Sequence, residues 1–195
     1  MTGMEWAVCH DPRLMVTALS RQCAVSDRRW RLFVAAFWRW IADRLPESQQ
    51  EVIDVATATE DWAETGRLPT GERASTWPDM IFFGADARQT AMRTAEFPYH
   101  GSSRQVEQIA QQTALLRDIF GNPFRIPHLE SRRRTSDVVA LARAIYDEKV
   151  FERMPILADA LMDAGCEDEA IVGHCRGENS HVRGYWVLDL VLGKE

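Results

Sequence analysis

Four side chains of metal-ligand type fall close together near the end of this 195-residue chain: Cys166, His174, Cys175 and His181. Thiolate and imidazole are the ligands zinc prefers, and four of them complete a tetrahedral site. The arrangement Cys-x7-His-Cys-x5-His has no Cys-x-x-Cys pair and matches no zinc-finger spacing. On a helix, the neighbours His174 and Cys175 point roughly 100° apart, which is awkward for one ion. The competing expectation makes the cysteines core thiols and the histidines helix caps or partners of backbone carbonyls. The same groups allow a second chemistry, in which Cys166 or Cys175 attacks, His181 is the base and Asp189 orients it. Together these options describe a Cys/His or zinc-dependent hydrolase or transferase. No Walker loop, Gly-x-Ser-x-Gly elbow, His-Glu-x-x-His or Gly-x-Gly-x-x-Gly is present to name a reaction.

Two further groups of residues suit binding. His181-Val182-Arg183-Gly184, read as the opening of the last helix, would present free N–H groups to an anion, with Arg176 nearby. Arg176, His181, Arg183 and Gly184 are therefore the candidate anion or partner site. Trp77, Ile81, Phe82 and Phe83 form an aromatic stretch which, if exposed, needs a protein partner to cover it. Arg132, Arg133 and Arg134 could contact phosphates, extended by Arg28, Arg29, Arg31 and Arg39. A net charge of −6 opposes general nucleic-acid binding, so nucleic acid is not the expected partner.

Positive charge is carried by 21 Arg against only 2 Lys. Arginine favours planar, bidentate pairing with carboxylates, and with 29 acidic residues present such pairs between helices are expected. The opening Met1–Trp6 has neither the basic nor the apolar region of a secretion signal, and no apolar run is long enough to span a bilayer. The expectation is a cytoplasmic protein with reduced cysteines and no membrane association.

Helical periodicity runs through most of the chain. Asp11-Pro12 reads as an N-cap and first turn for the face Leu14, Met15, Ala18 and Leu19. Arg28 to Leu45 places Trp30, Phe33, Val34, Phe37, Trp38 and Ile41 on one wide stripe, the predicted central core helix. Helices are also predicted over 47–64 and 85–97. Over 104–120, Val106, Ile109, Ala110, Thr113, Leu116 and Phe120 share a face, and Glu107, Gln108, Gln111 and Gln112 face away. After a Pro-rich loop at 121–134, helices are predicted over 135–147, 156–164, 167–174 and 181–192. Residues 65–84, broken by Pro and Gly, read as a long connection. The expected fold is all-α, an orthogonal bundle of about eight to ten helices, with solenoid-like stacking in the C-terminal half. A single domain over 1–195 is expected, with an internal division near 121–134.

Two stretches carry a family resemblance. Glu5-Trp6-Ala7-Val8-Cys9-His10-Asp11-Pro12-Arg13-Leu14-Met15, followed by Ser26-Asp27-Arg28 and Arg31-Leu32-Phe33, is one. The other runs from Leu116-Arg117-Asp118-Ile119-Phe120-Gly121-Asn122-Pro123-Phe124 through Ala144-Ile145-Tyr146-Asp147 and Pro155-Ile156-Leu157-Ala158-Asp159-Ala160-Leu161. It ends with Asp163-Ala164-Gly165-Cys166, His174 and His181-Val182-Arg183-Gly184. Both resemble uncharacterised bacterial proteins of planctomycete type that occur in large paralogous sets. The resemblance implies relatedness and brings no activity. The functional expectation is thus a non-enzymatic helical interaction domain, adaptor or regulatory, with a protein partner or a second copy of itself and no cofactor. Zinc is the alternative. Protein purified without chelator separates the two: the zinc reading requires stoichiometric metal that is lost in His174→Ala, whereas the interaction reading requires a metal-free chain of equal stability.

Overall fold

The computed structural model describes residues 1–44, 50–67, 86–96, 102–125, 127–177 and 181–194. Among them the chain is all-helical, with ten α-helices and no strand. Six belong to the first part: α1 (Gly3–Val8), α2 (Pro12–Gln22), α3 (Asp27–Ala42), α4 (Gln50–Thr65), α5 (Ala87–Glu96) and α6 (Ser102–Phe120). Four follow: α7 (Ser136–Glu148), α8 (Met154–Asp163), α9 (Glu169–Cys175) and α10 (Trp186–Leu192). No described helix is long and apolar enough to cross a membrane. The aromatic stretch Trp77, Ile81, Phe82 and Phe83 lies outside the described residues.

Local signals in the sequence set the helix starts. Thr2 and Glu5 form a capping box on α1, each side chain bonding the other's backbone N–H. Asp11 accepts from the Arg13 and Leu14 N–H groups ahead of Pro12, while Ser26 and Thr135 cap α3 and α7. Gly66, at φ +68, takes the left-handed turn after α4.

The apolar faces close around two clusters. The first runs from Trp6 to Phe120 and centres on α3, where Trp30, Phe33, Phe37, Trp38 and Ile41 are all buried. The second runs from Leu129 to Val191 and is built by α7 to α10. The expectation of stacked, solenoid-like helices there meets a different packing. Helix α10 returns to pack on α7, so the four helices close around one interior.

Two expectations about helix faces need correction. Val106 is 70% exposed, whereas Gln108 and Gln112 are buried. At Gln112 the cause is a carbonyl near the end of α5. Gln112 donates its amide to the Thr94 oxygen at 2.7 Å, meeting a need that an apolar residue could not. The last helix also starts later than the periodicity implies. Residues 181–185 form a turn with Gly184 at φ +89, and α10 begins at Trp186.

That turn presses on α3. A Cβ built on Gly184 lies 2.6 Å from Leu32 Cδ1 and 3.3 Å from Leu32 Cβ, in a backbone conformation that L-residues rarely adopt. Gly184→Ala is expected to lower the urea-unfolding free energy by about 1–3 kcal/mol. Gly173→Ala, exposed within α9 with open space at its Cβ, is expected to leave stability unchanged or raise it by up to about 1 kcal/mol.

Candidate anion-binding cleft

The two apolar clusters meet along a polar seam, and its chemistry begins on α4. Glu60 and Glu64 stand one helical turn apart and each gathers several partners from other elements. Glu64 pairs with Arg28 of α3 at 2.8 Å and with Lys194 at 2.6 Å, and it accepts the Tyr146 hydroxyl of α7 at 2.5 Å. Arg28 also grips Asp189 of α10 through both terminal nitrogens, at 2.7 and 3.1 Å. Asp189 is fully buried, and burial pushes its carboxyl up while Arg28 draws it down. Here Arg28 and Lys194 face Glu64 and Asp189, with Arg29 at 4.0 Å from Asp189, so cations and carboxylates nearly balance.

Glu60 is placed differently. Arg39 of α3 meets its Oε2 at 2.6 Å; Lys149 and Arg183 approach its Oε1 at 2.7 and 3.2 Å. Three cations therefore surround one buried carboxylate. The two at Oε1 act as nearby charges and not as aligned hydrogen bonds, and the Arg183 Nε–H is buried without an acceptor among the described residues. A carboxylate offers about four acceptor sites, whereas two guanidinium groups and one ammonium offer about thirteen N–H donors.

These cations line a cleft of ≈ 470 Å³ between α3, α4, α6 and the turns that carry Lys149 and Arg183, where Asp43 adds a second carboxylate. Trp40 and Phe151 contribute ring surface, and His181 lies in the wall. Arg44 also lines the cleft, but it is occupied: it bonds Glu107 and the Trp40 carbonyl and stacks on the Trp40 ring.

His181 is oriented from behind by Asp118 of α6. Its Nδ1 lies 2.7 Å from Asp118 Oδ1, and the other carboxylate oxygen accepts the Val182 N–H at 3.0 Å. Burial pushes the Asp118 carboxyl up, opposed by its bond and charge interaction with His181. The His181 side chain is 4% exposed, and its Nε2 has no hydrogen-bond partner among the described residues. His174 approaches the same Asp118 oxygen, at 3.8 Å, and is stacked on Tyr185 with ring planes 4° apart. It lines a separate cleft of ≈ 370 Å³ with Trp6, Asn122 and Trp186.

The sequence-predicted site residues separate under this geometry. His181 and Arg183 come together in the cationic cleft. Arg176 does not join them; it pairs with Asp159 at 2.5 Å on an exposed surface. Gly184 serves the close approach to Leu32. The expected helix N-terminus is absent at 181–184, because these residues precede α10, so any anion there is held by side chains. Cys166 and Cys175 are buried, and burial pushes the Cys175 thiol up to about 12, far from a thiolate. Cys175 accepts the Tyr185 hydroxyl, Asp189 is held by Arg28, and His181 is oriented by Asp118 instead. Among the described residues no group of three or more His, Cys, Asp or Glu side chains is placed to hold a metal ion. Arg132 and Arg133 both lean on Glu130, and Arg134 donates to the Val191 carbonyl at the end of α10.

Glu60 and Lys149 did not emerge from motif spacing, Asp118 appeared only within the resembling stretch, and Arg39 only as an extension of the Arg132–Arg134 patch. Glu60 carried a readable signal: it falls four residues after Ala56 and three before Ala63, on the apolar stripe of its helix.

His174, beside the Asp118–His181 pair, has a measurable signature of its own. Burial and the neighbouring His181 lower its pKa from an ordinary 6.5 to about 4. Between those values the unfolded chain binds more protons than the folded one, so this residue's contribution is present above pH 6.5 and is lost as pH falls toward 4. The loss is roughly 3 kcal/mol at its full extent. Asp118, whose carboxyl is raised, works in the opposite direction, so the comparison must be with a variant and not with pH 7 alone. Urea titrations from pH 7.5 to 4 are expected to show a flatter stability profile for His174→Phe, which keeps the stacking ring. Parallel profiles would refute the assignment. Compared with protein-family models, curated proteins and solved structures, the chain matches none.

Proposed function

We propose that this chain is a non-enzymatic helical interaction domain whose cleft receives an anionic group, carboxylate or phosphate, from a protein partner. The observation that carries this reading is the uneven charge on α4: the Glu64 cluster is nearly balanced, whereas Glu60 is shared by Arg39, Lys149 and Arg183 with donors left over. A partner anion would complete that ring, and the low-dielectric wall formed by Trp40, Leu115 and Phe151 would strengthen each charge-assisted bond. The chain as a whole carries −6, so a local cationic cleft would steer acidic groups to one place on it.

A second reading is favoured by the Asp118–His181 pair, since an imidazole oriented by a buried carboxylate is the usual general base of a hydrolase or transferase. Against it, among the described residues the cleft lining contains no Ser, Thr or Cys to act as nucleophile, so water would have to attack. The Arg132–Arg134 run supports a nucleic-acid role weakly, because its charges are engaged by Glu130 and a backbone carbonyl.

Fluorescence anisotropy with a labelled Glu-rich peptide and its phosphoserine counterpart, at low salt, tests the binding reading. At least one peptide should bind saturably. Arg183→Met and Lys149→Met should each weaken it roughly tenfold or more, the loss expected for one charge-assisted bond. Arg132→Met should leave it unchanged. Binding to neither peptide, or equal loss in all three variants, would end the proposal.

A further inference from the structure

The second cleft, of ≈ 370 Å³, holds its charge differently from the first. Two arginines line it, Arg117 and Arg125, and among the described residues neither is paired with a carboxylate. Arg117 is half-buried on α6 and is held by the carbonyls of Thr113, Trp6 and Cys9. Those oxygens fix the guanidinium and leave its charge uncancelled. Burial lowers its pKa, because the charged form is poorly solvated there. Arg125 is exposed in the turn after α6, and its guanidinium has no partner among the described residues. The one acid of the lining, Asp118, is buried with its oxygens engaged by His181 and the Val182 N–H. Ring surface comes from Trp186 and from His174, whose side chain is 21% exposed and, with a pKa lowered to about 4, uncharged at neutral pH.

We propose that this second cleft binds a small aromatic carboxylate, with the carboxylate on the fork of Arg125 within the field of Arg117 and the ring against Trp186 and His174. Ligand pockets of about 300–1,000 Å³ combine apolar walls with a few polar groups, and this cleft has both the size and the mixture. A planar anion with two oxygens matches the guanidinium fork through parallel N–H bonds. A half-buried cation without a counter-charge is unfavourable, so an anion close to Arg117 is rewarded beyond its contact with Arg125. The ring supplies the rest of the binding, by displacing water from the Trp186 and His174 surfaces. The site is separate from the Glu60 cleft, and neither reading depends on the other.

Calorimetric titration of the full chain with 2-naphthoate, its neutral isostere 2-naphthamide, and acetate tests both halves of the ligand. 2-Naphthoate should bind saturably with a Kd of about 1 mM or tighter, as expected for a ligand of its size. 2-Naphthamide should bind roughly tenfold more weakly or worse, and acetate should not bind in that range. In Arg125→Met, an exposed position whose intact helical dichroism is checked, the acid should lose roughly tenfold while the amide is unchanged. Lys149→Met, in the first cleft, should leave 2-naphthoate binding unaltered. The wild-type comparison of acid, amide and acetate stands even if a variant does not fold. No saturable binding of 2-naphthoate, equal affinities for acid and amide, or acetate binding as tightly as the aromatic acid would overturn the proposal. So would an affinity that falls in Lys149→Met and not in Arg125→Met, because the ligand would then sit at Glu60. A peptide ending in a free phenylalanine carboxylate that binds through Arg125 where 2-naphthoate fails would assign the cleft to a partner chain and sink the small-molecule reading.

Discussion

The arrangement depends on a buried ion pair. Asp189 has no exposed surface, and Arg28 reaches it from the first turn of α3 with two bonds at once. Taking these charges out of water is unfavourable unless both are matched, and removal of one partner from such a pair costs about 3–5 kcal/mol. Arg28 meets Glu64 and Tyr146 with the same guanidinium, so one side chain joins α3, α4, α7 and α10. Apolar contact is non-directional and would let the two clusters slide on each other. The planar, bidentate pairing sets their register. Trp6 adds a second fixed point by donating its indole N–H to the Gly121 carbonyl at 2.7 Å, where Trp186 packs against the same glycine.

That register makes the cleft. Glu60 lies one turn before Glu64 on α4, so whatever fixes Glu64 also fixes Glu60. Lys149 and Arg183 come from the second cluster's side, and Arg39 comes from α3. None of them would share Glu60 if α4 and α7 were displaced by a turn. The two lysines of the chain both end on this helix, Lys149 at Glu60 and Lys194 at Glu64. Lys149 occupies the left-handed position that closes α7, at φ 58, which points its stem back across the seam.

Periodicity made the helices legible because burial on one face is a local, repeating demand. The helices at Asp11-Pro12 and Thr135 begin where the sequence places them, since caps act within one turn. The length of the apolar run and its neighbours favour helix over all of 181–192, yet Gly184 turns the chain there so that it can pass Leu32. The site was harder. His181 and Arg183 were visible as residue types, but Asp118 lies 63 positions away from His181 and no local spacing connects them. Gln112 was read as solvent-facing because polarity usually means exposure, while here it answers the end of another helix. A long-range polar partner cannot be read from one helix alone, whereas an acid or amide on an apolar stripe, such as Glu60 or Gln112, can at least be suspected.

The two neighbouring carboxylates of α4 are matched unequally by their cations. At Glu64 the acids and bases nearly cancel, the tyrosine hydroxyl uses the remaining lone pair, and nothing is left to recruit a ligand. At Glu60 three cations share one carboxylate, and among the described residues the buried Arg183 Nε–H has no acceptor and the buried His181 Nε2 no partner. A purely structural seam would gain from matching those groups internally, because each buried unmatched group weakens the fold by about 1–3 kcal/mol. A binding site needs the reverse, since donors already oriented by Glu60 lose little further freedom when an anion arrives. On the proposed reading Glu60 would act as a placeholder, keeping Arg39, Lys149 and Arg183 converged until an anion arrives.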